Sequence, residues 1–330
     1  MLTSNDPLTL PAKLKSLLLR LDGDPTDAAV NGVLAALAAG SLSHLHLQIS
    51  RFAAETSVEL SILGACPSLT DLMLVPFCGR LAHAQVDQIR VALGHMHRLS
   101  IGTMANGQLA RLLQPPVTAQ WRDIGEVLAD AGTGELLLRL PTLTRLSLSY
   151  DEATAHADFL QQLPRLTTLT LNCYRFGIPS GWHIPADALL NSLVRCRALT
   201  ELDLSCGFNS AHWSALVAEL PLKMLTLRNP WALETLACFA AGPITQSLED
   251  LTVEGLELPA SELSHLYGLY RLRTLDLRDC FCSILPKATL KRLSPPSRIL
   301  PALTKLVLRG LANVDRQGPS FEWMQMRRTR

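Results

Sequence analysis

Four groupings in the sequence have residue types that could do chemistry. His44 and His46 alternate, so on a strand they point the same way, as two imidazole ligands of a metal would. No motif places a third ligand beside them. Cys280-Phe281-Cys282 sets two thiols one residue apart, where a zinc-binding pair uses two intervening residues, and no second pair follows. Asp203 and Asp276 have the chemistry of a general acid and base, but they lie in different repeat units with no closed, dry pocket implied between them. Gly132-Thr133-Gly134 runs into Glu135 and a helical leucine run, not into the Lys-Ser/Thr of a phosphate-binding loop. The sequence also has no nucleophile elbow and no His-Glu metalloprotease motif. These residues predict a non-enzyme that uses no metal and no cofactor.

The elements that must position such groups repeat along the chain. In Ala198-Leu199-Thr200-Glu201-Leu202-Asp203-Leu204-Ser205-Cys206, leucines fall at one position, three later and five later. The same spacing starts at Leu14, Leu42, Leu69, Met96, Leu143, Leu166, Leu199, Leu222, Leu248, Leu272 and Leu303. The step from Met96 to Leu143 is about twice the others. A worn unit with Ala119, Arg122 and Ile124 in the three places fills it, which makes 117–126 the irregular stretch and gives about twelve units. Alternation within each unit predicts a short strand with its leucines inward. Between units the spacing becomes helical, at Asp27 to Leu37 and over 58–63, 86–93, 109–113, 124–128, 186–193, 213–220, 233–239 and 262–267. Prolines such as Pro67, Pro141, Pro164, Pro221 and Pro301 end the return segment and turn the chain into the next strand. A helix that returns each strand on one side makes the strands parallel.

The fold class predicted is α/β: a right-handed leucine-rich-repeat solenoid (horseshoe), with a parallel concave sheet and helices on the convex side. Residues 1–311 form one such solenoid and 312–330 a cap or tail, in which Phe321 and Trp323 cover the last leucine face. A formal net charge of +1, with 18% charged residues, excludes nucleic acid and an anionic membrane as main partners. The run Leu17-Leu18-Leu19, bracketed by Lys15 and Arg20, is too short and too charged for a signal segment. Eight cysteines are too sparse for a disulfide scaffold and are read as reduced, buried corners. The expectation is a cytoplasmic or nuclear monomer.

Phrases such as Leu193-Val194-Arg195-Cys196-Arg197-Ala198-Leu199-Thr200-Glu201-Leu202-Asp203-Leu204 and Leu272-Arg273-Thr274-Leu275-Asp276-Leu277-Arg278-Asp279-Cys280 resemble the ribonuclease-inhibitor-like leucine-rich repeats. They look most like the cysteine-containing repeats of F-box leucine-rich-repeat proteins. The resemblance covers about residues 10–311 and implies a protein-binding scaffold. For the F-box group it also implies a substrate-recognition subunit of a ubiquitin ligase, although the first repeat begins by Leu14 and leaves no room for an F-box ahead of it. A GTPase-activating solenoid like the Ran-activating family is a remoter alternative.

The partner is expected on the concave columns between the leucines. Glu201, Asp203, Asp250, Glu254 and Asp276 form an acidic strip interrupted by Arg228 and Arg278, which would steer a basic protein segment. In this frame Trp121 is also concave, and Leu18, Met73 and Val75 expose apolar surface near His44 and His46. The long step after Leu166 inserts a loop at 173–184, where Tyr174, Phe176 and Trp182 beside Arg175 are the residue types of interface hot spots. A solvated charged face and a satellite core beneath the loop are the alternatives to these two sites.

Overall fold

A computed structural model describes residues 14–21, 26–38, 40–49, 58–76, 82–92, 96–100, 104, 106–114, 121–129, 132–150, 157–172, 186–205, 208–230, 232–256, 259–280, 292–293 and 299–309. The 173–184 loop, with Tyr174, Arg175, Phe176 and Trp182, and the 312–330 tail lie outside these residues. The chain divides into two compact units, Met1–Thr154 and Ala155–Arg330.

The first unit contains β1 (Ser16–Leu21), β2 (His44–Ile49), β3 (Asp71–Pro76), β4 (Arg98–Ser100), β5 (Asp123–Ala129) and β6 (Arg145–Tyr150). Each strand pairs in parallel with the next in chain order. The returns are α1 (Asp27–Ala38), a 3₁₀ segment Leu60–Ala65, α2 (His83–Ala92), α3 (Asn106–Leu112) and α4 (Thr133–Leu137). The second unit repeats the plan with β7 (Thr168–Asn172), β8 (Glu201–Ser205), β9 (Met224–Arg228), β10 (Asp250–Glu254), β11 (Thr274–Arg278) and β12 (Lys305–Arg309), again parallel and in order. Its returns are 3₁₀ segments at Asp158–Gln162, Leu236–Ala240 and Ala260–Gly268, together with α5 (Ala186–Leu193), α6 (Ser210–Glu219) and α7 (Ile244–Ser247). Both units are leucine-rich-repeat arrays of the α/β class.

Burial holds each array together. The register sets leucine against leucine, as in Leu202 to Leu225 to Leu251 to Leu275 to Leu306, and these side chains are buried. Burying one leucine is worth about 1.5–3 kcal/mol, so a column of them outweighs the sparse side-chain pairing elsewhere. A backbone device fixes the register as well. In most repeats the carbonyl just before the strand accepts two N–H groups from the next repeat, for example Thr167 O from Thr200 and Glu201, Thr200 O from Lys223 and Met224, and Lys223 O from Glu249 and Asp250. Threonine hydroxyls at this place, including Thr70, Thr144 and Thr304, donate to the same kind of carbonyl.

The chain leaves β9, β10 and β11 through a left-handed residue each time, Asn229 (φ 46°), Gly255 (φ 72°) and Asp279 (φ 50°). Asn, Gly and Asp are the types that tolerate this region. There Asn229 N–H reaches Glu254 O and Gly255 N–H reaches Arg278 O, which extends the ladder past the strand ends.

The irregular repeat differs from its expected form. Residues 124–128 are not helical: they belong to β5. Ile124 pairs with Leu99 and Leu146, the second leucine place, and after a bulge Val127 pairs with Leu148, the third. Trp121 therefore fills the first leucine place and is 2% exposed, a core residue and not part of the outer face. The bulge stretches the apolar spacing to 121, 124 and 127, a helix-like period of three, which is why the sequence reads as a helix there. Gly125 sits at this bulge, and a Cβ on it would lie 2.7 Å from Ser100 Cβ and 2.9 Å from Ser100 Cα. Only glycine lets β5 approach β4 so closely.

The returns also bond across repeats. Glu262 accepts the Thr235 hydroxyl (2.6 Å) and the Leu236 N–H (2.8 Å) from the preceding 3₁₀ segment. The Thr235 bond is the main cause that holds the Glu262 carboxyl below its ordinary value. A lowered folded value means stability that is present above the unfolded carboxyl value and lost as pH falls through the folded one. Glu262→Gln is expected to cost about 1 kcal/mol at neutral pH and to flatten the acid limb of a urea-midpoint titration below about pH 4.3.

Burial also acts on the thiols. Burial pushes the Cys196 thiol up to about 11 and the Cys238 thiol up to about 12, and raises Cys66 as well. Cys280 is buried with its thiol toward Val253 O and Arg278 O, and its neighbours Phe281 and Cys282 lie outside the described residues. Among the described residues no helix is long and apolar enough to cross a membrane.

Candidate protein-binding face

From β2 to β11 the leucines at the second and third places are buried against the return segments, while Leu17 and Leu19 of the terminal β1 are half-buried, and the residues between these places form the columns of the other, open face. In the second unit one column reads Thr168, Glu201, Met224, Asp250, Thr274 and Lys305, and the next reads Thr170, Asp203, Thr226, Thr252, Asp276 and Val307. A third carries Glu254 in register with Arg228 on one side and Arg278 on the other.

The acidic strip is more nearly neutral than its sequence suggests. Arg228 reaches back from β9 to β8 and holds Asp203 with two bonds, Nε to Oδ1 at 2.9 Å and Nη2 to Oδ2 at 2.8 Å. Arg278 donates from Nε (3.0 Å) and Nη2 (2.6 Å) to Asp276 Oδ2, two residues back on its own strand. These arginines are therefore paired within the chain. That hydrogen bond, then the charge of Asp276, holds the Arg278 guanidinium above its ordinary value, with Glu254 contributing further. What remains of the strip is Glu201, which accepts the Thr168 hydroxyl (3.0 Å), Asp250, and Glu254 between its two arginines. Met224, between Glu201 and Asp250 in register, is 45% exposed.

The open face of the first unit has a feature that the misplaced register concealed. With Asp123 moved to its true column, His44, Asp71, Arg98, Asp123 and Arg145 stand side by side on successive strands. His44 Nε2 lies 3.4 Å from Asp71 Oδ2, and Arg98 Nε lies 2.9 Å from Asp123 Oδ2. Burial raises the Asp123 carboxyl, Arg98 and then Arg145 pull it back down, and Asp71 pushes it up. The Thr70 hydroxyl donates to Asp71 (2.7 Å), and Ser43 Oγ lies 2.7 Å from His44 Nδ1. His44 is thus engaged by Ser43 and Asp71. His46 stands in the neighbouring column between Leu18, 66% exposed on β1, and Met73, which is half-buried. The Val75 side chain lies outside the described residues.

Among the described residues no group of three or more His, Cys, Asp or Glu side chains could hold a metal ion. No protein-family model matches the sequence, and no curated protein matches it. Among solved structures the chain is similar to an internalin from Listeria monocytogenes, at 13% identity and a TM-score of 0.42 over 92% of this chain and 83% of that one.

Proposed function

We propose that the chain is a non-catalytic protein-protein interaction scaffold whose partner meets the open face of β8–β11 and the 173–184 loop. One observation supports the reading. The repeat that buries every leucine of these strands presents, on the other face, an in-register array of charged and polar side chains with a large apolar side chain, Met224, exposed among them. An open sheet of fixed side chains suits recognition of a surface and offers no closed pocket for a reaction. Glu201, Asp250 and Glu254 are the residues proposed to meet the partner, and Asp203, Asp276, Arg228 and Arg278 keep the face in shape. Tyr174, Phe176, Trp182 and Arg175 of the 173–184 loop are proposed as anchors for the same partner.

The test is affinity capture from a native extract with the wild type and with a Glu201→Lys/Asp250→Lys/Glu254→Lys variant of unchanged thermal stability. At least one specifically retained protein is expected to fall about ten-fold or more in yield with the variant. An unchanged set of retained proteins would contradict the reading.

A further inference from the structure

We infer that the Glu201–Met224–Asp250 column takes a basic amphipathic helix that lies across β8, β9 and β10. This rests on the proposal that the open face binds a protein, and it names the chemistry of the segment bound.

Three observations carry it. First, the carboxylates of the face are not equivalent. Asp203 and Asp276 are held by Arg228 and Arg278, whereas Glu201 has only a threonine hydroxyl and Asp250 makes no ion pair among the described residues. The two unneutralised carboxylates stand in the same column with Met224 between them. Second, Met224 is one of three large apolar side chains exposed among the described residues, and methionine is the type that adapts to a partner's apolar side chain. Third, the neighbouring column carries an unsatisfied acceptor on β11, one strand beyond Asp250. The Asp276 side chain is 5% exposed, Oδ2 takes both bonds from Arg278, and Oδ1 has no hydrogen-bond partner among the described residues. A buried carboxylate oxygen without a donor marks a face short of donors.

The spacing selects the shape of the partner. Neighbouring strands lie about 4.8 Å apart, so Glu201 and Asp250, two strands apart, are separated by about 9.6 Å along the column. Two lysines seven positions apart on a helix are about 10.5 Å apart, and a residue three or four along lies between them on the same face. An extended segment repeats its same-face side chains every 6.6–6.8 Å or so, which fits neither the carboxylate pair nor the methionine between. The segment that matches is therefore cation, apolar, cation on one helical face.

The probe is an alanine-based helix of about 14 residues with two lysines seven positions apart and leucine between them, titrated against the full chain by fluorescence anisotropy. The control peptide has the same composition with a central proline that breaks the helix. The helical probe is expected to bind more tightly than the proline form and to weaken about ten-fold in Glu201→Lys/Asp250→Lys. It should also weaken several-fold in Met224→Ser and as salt is raised, and keep its affinity in Glu135→Lys/Glu234→Lys, which makes the same charge change away from the column. Equal binding of the two peptides, absence of binding, or affinity unchanged by the double charge reversal would overturn the inference. If the peptide fails while capture of native proteins still depends on Glu201, Asp250 and Glu254, the helix chemistry is wrong and the open face remains the binding surface.

Discussion

Replacing Trp121 by alanine is expected to destabilise the protein by about 3–5 kcal/mol, the range for emptying a buried aromatic site. The indole is 2% exposed and occupies the first leucine place of the β5 repeat. In the frame that puts Ala119, Arg122 and Ile124 in the leucine places, Trp121 would stand on the outer face, and its loss would change stability by no more than about 0.5 kcal/mol. Urea denaturation of the variant therefore separates the two frames cleanly. It also decides whether the charged ladder exists, because the register that buries Trp121 is the one that sets Asp123 beside Arg98 and Arg145.

The second large effect concerns Asp276. Its side chain is almost entirely buried and its only cation among the described residues is Arg278. Arg278→Met leaves a buried carboxylate without its counter-charge and is expected to cost about 3 kcal/mol, although Arg278 itself is half in solvent. Asp276→Asn on that background should recover most of the loss, so that the double variant is more stable than the arginine variant alone. Additive losses from the two changes would show that the pair is not coupled. By contrast, Arg228 and Asp203 form a better-aligned pair in a more open place, and breaking it should cost about 1 kcal/mol.

The leucine spacing was enough to read the strands, their parallel order and the inward columns, because burial of those side chains dominates the energy of a repeat and leaves a direct trace in the sequence. Where a bulge altered the spacing, as between Ile124 and Glu126, the same trace took a helical period and misplaced Trp121 and Asp123 together. Several returns are 3₁₀ segments instead of the α-helices the pattern implies, such as Leu60–Ala65 and Leu236–Ala240. Period alone distinguishes the two forms poorly over five or six residues. Charge pairing was the least legible feature. Column membership follows from register, but Arg228 pairs diagonally with Asp203 and Arg278 pairs along its own strand, choices made by side-chain reach that spacing does not encode. Reading Glu201 to Asp276 as one acidic strip missed this, and the carboxylates that remain unneutralised, Glu201 and Asp250, emerged only with the pairs in place.

A protein partner that meets the open face of the second unit, as proposed, is within reach of photo-crosslinking from that face. A photoreactive amino acid is placed at Met224 on β9 and, in a separate protein, at Ser214 on the exposed side of α6. Each protein is irradiated in native extract and its adducts are identified. A discrete protein adduct is expected from position 224 that is absent from position 214 and is lost when Glu201 and Asp250 are reversed to lysine. Discrete adducts from position 214 with none from position 224 would contradict the proposal and move the binding surface to the helical side.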